Sequence, residues 1–292
     1  MGRKFFNHGL IFVKRIIIKI IIPFLLVTVP FFLSVYQFTF DIPTLLTVVS
    51  LIFAILVGFF IATATTNYLR LQSLIVDEDS TLISIFNLTK IIQPSAISKM
   101  REVIDRYAIS ALDFELIDYV RKTQKEFGDV LSTIDELSPQ DEKGLELFGN
   151  IHDKRSSIVG TRQEISMVAK RVVTLLHWIV LIFLAVLLIF LLLALRDGHW
   201  LSSLITSVLS LATYLVLVLL YEVDSNIFLE ELLAYENSQQ IFQAIGTMKY
   251  FPHHALKNQR IKAPEEDYRV GVFKNYPHSL EKEIKIIHKN SN

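Results

Sequence analysis

The side chains that could do chemistry are few and scattered. His253 and His254 are adjacent, a spacing that turns two rings to different sides of most backbones, so a polar tail accounts for them better than a metal pair does. Asp77, Glu78 and Asp79 follow one another on a helical pattern. Asp77 and Glu78 are the candidates for a cytoplasmic cation site, and a solvated helix face is the default reading of the same run. The pairs Asp135-Glu136 and Asp141-Glu142 are assigned to helix starts, where acids favour the helix dipole. The chain has no Gly-rich phosphate loop, no G-x-S-x-G elbow and no H-E-x-x-H. With no cysteine, a thiol nucleophile, a disulfide and Cys-ligated zinc are all excluded. No nucleophile, base and electrophile can be assembled, so no catalytic residue, metal site or cofactor is expected, and the chain is read as not an enzyme.

Whatever these residues do, the elements that carry them lie in or beside a membrane. Of 292 residues, 52% are hydrophobic and only 20% charged, against roughly 25% charged in an ordinary soluble domain. Basic and acidic side chains balance at 29 each, which removes the electrostatic footprint of a nucleic-acid binder. Four stretches reach the roughly 20 apolar residues that cross a bilayer as a helix: 16–36, 43–66, 172–195 and 200–221. Inside them only Lys19 and His177 are strongly polar, each near an end from which it can snorkel to the headgroups. Pro23, Pro30 and the length of the first stretch argue against a cleaved signal peptide.

Arg3, Lys4, Lys14, Arg15 and Lys19 precede or open the first span, and Arg70, Lys170 and Arg171 flank the segment between spans two and three. The other two connections, around Asp41 and at Arg196-Asp197-Gly198-His199, are very short. The positive-inside rule therefore puts both termini and the central segment in the cytoplasm of a multi-pass protein of the cell membrane, plasma or bacterial inner. The expected fold class is an all-α membrane protein: four transmembrane helices with a helical cytoplasmic insert between spans two and three. Its parts are an N-terminal hairpin (1–66), the insert (67–171), a C-terminal hairpin (172–221) and a cytoplasmic tail (222–292).

In the insert, Leu71, Leu74, Ile75, Leu82, Ile85, Phe86 and Ile92 recur at helical spacing and continue the second span as a rod. Pro94-Ser95 breaks the chain and offers an N-cap to a second helix, whose stripe Met100, Val103, Ile104, Tyr107, Ala108, Ala111, Phe114 runs to about Gly128. Ser138-Pro139-Gln140-Asp141 starts another, whose stripe Phe148, Ile151, Ile158, Ile165, Val168, Val172 is expected to run unbroken into the third span. The tail offers two short amphipathic helices. One starts at Ser225 or Asn226; the other starts at Asn237 or Ser238 and stops at Gly246. Beyond Pro252 an extended polar segment is expected, and no strand-type alternation of useful length is assigned.

Two membrane stripes stand out. On the second span Ser50, Ala54, Gly58 and Ala62 recur every four residues, a small-residue ridge for close helix packing. The neighbouring Leu51, Ile55 and Phe59 are bulky and apolar, by themselves a lipid or core face. On the fourth, Ser202, Ser203, Thr206, Ser207, Ser210 and Thr213 form a hydroxyl face, suited to interhelical hydrogen bonds or to a wetted pathway.

Leu56-Val57-Gly58-Phe59-Phe60, then Tyr68, Arg70 and Glu78 on the same helix, together with this layout, resemble the bestrophin superfamily, closest to its bacterial bestrophin-like branch. Val223-Asp224-Ser225-Asn226-Ile227-Phe228 occupies the place of that family's Asp/Asn-Pro-Phe stretch. The resemblance implies a homo-oligomeric, pentameric ion channel in the lipid bilayer, passing small ions through a hydrophobic neck at Leu51, Ile55 and Phe59. The chain departs from the animal members in two places. Asn67-Tyr68-Leu69 replaces Arg-Trp-Trp, and only Glu230-Glu231 stands where a run of acids clasps calcium, so calcium gating is not implied. The alternative is a non-conducting membrane scaffold or sensor whose helical cytoplasmic body binds a partner.

Overall fold

A computed structural model describes residues 20–35, 41–114, 116–225, 238–252, 256, 266–274 and 281–288. Lys19, His253-His254, Glu230-Glu231 and the helix expected from Ser225 or Asn226 lie outside them, in whole or in all but the first residue. The described residues form nine helices: α1 (Ile22–Phe32), α2 (Ile42–Ile92), α3 (Ile97–Leu112), α4 (Leu116–Lys122), α5 (Gln124–Asp135), α6 (Glu142–Val168), α7 (Leu175–Ala194), α8 (Trp200–Asp224) and α9 (Gln239–Ile245). Three strands follow, β1 (Tyr250–Pro252), β2 (Tyr268–Phe273) and β3 (Lys282–Ile287). The chain divides into two units, residues 1–65 with 171–225, and residues 66–170 with 226–292.

The first unit is the membrane unit. By length and apolarity α2, α7 and α8 can cross a bilayer, while α1 is a shorter apolar helix of 11 residues. Pro30 has no N–H to give the helix, and α1 ends at Phe32, short of the expected boundary at residue 36. The core forms where Val49, Phe53, Val57 and Phe60 of α2 meet Leu181, Leu184, Leu188 and Leu191 of α7 and Leu220 of α8. On α8 the hydroxyl face is buried at Ser203, Thr206, Ser207, Ser210 and Thr213. Ser207 Oγ donates to the Val27 carbonyl of α1 at 2.9 Å and Thr206 Oγ1 to the Leu192 carbonyl of α7 at 3.5 Å. Two of these hydroxyls thus bond across helices, while Thr213 Oγ1 returns to the Leu209 carbonyl of its own helix at 2.9 Å.

In the second unit α2 continues without a break to Ile92, as the sequence predicts. Its stripe (Leu71, Leu74, Leu82, Ile85, Phe86) packs with Met100 and Ile104 of α3, Val130 and Ile134 of α5, Ile151, Ile158 and Ile165 of α6, and Ile241 and Phe242 of α9. Asp141 caps α6, its Oδ1 accepting from the Gly144 N–H at 2.6 Å. Gly246, at φ 71°, ends α9 in the left-handed region that glycine enters freely.

Several expectations are corrected. Ser95 caps nothing: Pro94–Ala96 is a 3-10 turn, and Ser95 Oγ accepts from Gln140. The helix after it stops at Leu112 rather than near Gly128, and the side chain of Asp113, its C-cap, accepts from Tyr250 and Lys282 of the tail sheet. Asp135 and Glu136 stand at a helix end, where Asp135 pairs with Arg155 and Glu136 with Lys99. The rod expected to enter the third span breaks between Val168 and Leu175. There the N–H groups of Val172 and Val173 turn to Asp224 Oδ1, and His177 Nδ1 meets Thr174 at the start of α7. The protein is also mostly helical rather than all-α. β1 runs parallel to β2 and β3 antiparallel to it, in the order β1-β2-β3, with Phe251 opposite Val270 and Val270 opposite Lys285. Tyr268, Val270 and Val272 do alternate with Arg269, Gly271 and Phe273, over a stretch too short to stand out. A Cβ at Gly271 would collide with the Tyr250 phenol, so glycine is required there.

Candidate functional site

Within the membrane unit α2 has two unlike sides. Val49, Phe53, Val57, Phe60 and Ala64 are buried in the core, while Leu51, Ile55 and Phe59 are 60%, 62% and 63% exposed. Steps of three and four residues keep each set on its own side of a helix turning every 3.6 residues. Ala54, Gly58 and Ala62 are exposed as well, and Ser50 is half-buried with its hydroxyl on the Thr47 carbonyl at 3.0 Å. A Cβ added at Gly58 would meet nothing within 4 Å, so this glycine is not needed for packing inside the chain. The bulky and the small ridge are both presented outward.

At the end of α2 that belongs to this unit, Phe60 lies against the ring of His177, centroids 4.8 Å apart. His177 is half-buried against this ring and the α7 start, rather than reaching out alone. Asp224, buried at the end of α8, holds the Val172 and Val173 N–H groups at 2.8 and 3.0 Å. The motif beginning Val223-Asp224 thus has a mechanical meaning, since one carboxylate ties the end of α8 to the entry of α7. Asn226, Ile227 and Phe228 lie outside the described residues.

In the second unit, the residues singled out on α2 separate. Tyr68 packs against the core, and Arg70 pairs in the open with Glu164 at 2.7 Å. Asp77 is exposed, whereas Glu78 is buried and accepts from the Tyr107 hydroxyl, so the run is not a solvated face throughout. Arg162, also buried, donates to that hydroxyl at 2.5 Å, to the Val120 carbonyl at 2.6 Å and to Thr123 Oγ1 at 2.9 Å. Asp79 Oδ2 accepts from Ser238 Oγ at 3.1 Å, and burial of its carboxyl, then the neighbouring Glu78 charge, push Asp79 up to about 8. Among the described residues no three His, Cys, Asp or Glu side chains come together as a metal cage.

Sequence reasoning missed the partners but not every signal. Glu78 sits four residues from both Leu74 and Leu82, and Arg162 four from Ile158 and three from Ile165. A charge on the apolar stripe of a helix must find a partner or expel itself. Nothing local pointed to Asp105 with Arg269, or to Asp113 with Tyr250 and Lys282, which lie far apart in sequence.

A family model described as the Bestrophin-like domain matches residues 31–226. No curated protein matches the sequence. Among solved structures, a membrane protein superposes with a TM-score of 0.58 at 14% identity, over 80% of this chain and 99% of that one. Two variants of a bacterial bestrophin homologue from Klebsiella pneumoniae superpose with TM-scores of 0.57, at 12% and 13% identity. Each covers 80% of this chain, and the match spans 98% and 100% of theirs. At these identities the likeness is one of fold.

Proposed function

The chain belongs to the bestrophin-like family, and from that membership we propose that it is a homo-oligomeric, pentameric ion channel rather than an enzyme. Four spans cross the cell membrane, with α1 in the first. Both termini and the central segment stand on the cytoplasmic side. α2 lines the pore, and Leu51, Ile55 and Phe59 form its neck.

The observation that carries this reading is the exposure of those three side chains on the side of α2 turned away from the core. Rings of such residues, about 6 Å of rise apart, make a constriction that gates by dewetting. The exposed Ala54, Gly58 and Ala62 beside them let a neighbouring copy approach closely.

Native mass spectrometry in mild detergent and ion flux in proteoliposomes test the proposal together. A fivefold ring is expected, and replacement of Leu51, Ile55 and Phe59 by Ala should raise flux while leaving the ring intact. A protein that assembles but passes no ion, as parent or as triple variant, is a scaffold rather than a channel. Single cysteines, clean in a chain that has none, test the orientation: Asp41→Cys and His199→Cys should label from outside and Gly128→Cys should not.

A further inference from the structure

In the membrane unit, where α7 turns through Arg196-Asp197-Gly198-His199 into α8, an open cleft of about 630 Å³ has one charged end and one apolar flank. Its volume lies in the range of small-molecule sites. Arg196, only 5% exposed, lines the charged end. Its Nη2 donates to the Leu33 carbonyl at the end of α1, but its Nε is buried with no hydrogen-bond partner. Among the described residues no carboxylate comes within 4 Å of this guanidinium. Asp197, on the same loop, is exposed, and its Oδ1 accepts from the His199 N–H at 3.0 Å.

A buried cation with a free donor and no counter-charge is a costly arrangement unless an anion completes it. At the start of α8, Asp197 takes the His199 N–H and the N-cap side chain makes no cap bond, so the helix dipole still favours negative charge at the first turn. One flank is of the opposite character, with Ser202 and Thr206 among the rest of the lining. Leu195, Leu201, Ile205 and Leu209 line the cleft with 45–53% of their surface exposed, and Trp200, 71% exposed, stands at its rim. A small free anion would answer Arg196 and leave those walls bare. An amphiphile answers both, and an exposed Trp is at home at headgroup depth.

We infer that this cleft binds an anionic phospholipid, its phosphate on Arg196 and the start of α8 and an acyl chain along Leu195, Leu201, Ile205 and Leu209. The site is separate from the proposed neck and needs only that this unit lie in a bilayer.

Native mass spectrometry of the assembled protein titrated with phosphatidylglycerol or phosphatidylcholine tests it. The parent should retain phosphatidylglycerol about tenfold more tightly, the effect of one charge-assisted hydrogen bond. Arg196→Gln should remove the preference and Arg196→Lys should keep part of it. Leu209→Trp, on the exposed flank, should weaken both lipids by filling the chain's path, and it decides the matter if Arg196→Gln does not assemble. Millimolar inorganic phosphate should not displace the lipid. An unchanged preference in Arg196→Gln, undiminished binding in Leu209→Trp, displacement by phosphate, or lipid binding only to dissociated chains because a second copy covers the cleft would each overturn the assignment.

Discussion

Asp105 of α3 and Arg269 of β2 form a two-point ion pair, Nη1 to Oδ2 and Nη2 to Oδ1 both at 2.7 Å, across 164 positions of sequence. Both side chains are about 15% exposed, and Thr247 also donates to Asp105 at 2.8 Å. The fork of the guanidinium matches the carboxylate, a geometry that lysine cannot reproduce. The pair attaches the tail sheet to the helical body of the second unit.

Breaking this pair from one side leaves a poorly solvated charge. Asp105→Asn or Arg269→Gln should each destabilise the folded protein by roughly 2–4 kcal/mol. The double variant should cost clearly less than the sum of the two. Thermal unfolding in detergent measures both, and additive small losses would mean the sheet is held elsewhere.

Asp79 predicts a pH dependence. Unfolded, its carboxyl releases the proton near 3.8; folded, burial and Glu78 hold the proton to about 8. Between those values the fold binds more protons than the unfolded chain, so this residue makes stability fall as pH rises from about 4 to about 8, with no further loss above. Asp79→Asn should flatten that part of the unfolding-versus-pH curve. A curve identical to the parent's would show that Asp79 is ionised in the fold.

Core and cap should separate cleanly. Ile104 and Phe86 are wholly buried, so Ile104→Asp or Phe86→Asp should cost several kcal/mol and deplete assembled protein, by placing an unpaired charge in the packing. Asp141→Asn keeps an oxygen for the Gly144 N–H and should cost no more than about 1 kcal/mol. Yield and melting temperature report the difference, and equal effects would contradict the packed body.

Gly58 distinguishes folding from assembly. Nothing in the chain lies within 4 Å of where its Cβ would be, so Gly58→Leu should leave the secondary structure and melting of the single chain intact while disrupting the oligomer. Circular dichroism and native mass spectrometry, read together, would expose a purely local role if the oligomer survived unchanged.

The sequence by itself determined whatever follows from composition and helical period. The long apolar runs required helices α2, α7 and α8, and the three-and-four spacing from Leu71 to Ile92 required the continuation of α2 beyond the membrane unit. Asp141 and Gly246 marked helix ends through their own backbone chemistry. The family was legible too, in short motifs on α2 and in the order of spans and insert. Tertiary structure decided what depends on partners distant in the chain. Asp113 at the end of α3 is claimed by Tyr250 and Lys282, and Asp224 takes two backbone donors where the rod breaks before α7. The three-stranded sheet rests on pairings that no local pattern announces. The two sides of α2 are equally apolar in sequence, so only packing distinguished the face buried in the core from Leu51, Ile55 and Phe59, which are left exposed. Periodicity is a property of one helix, whereas the choice between its faces is made by whatever packs against it.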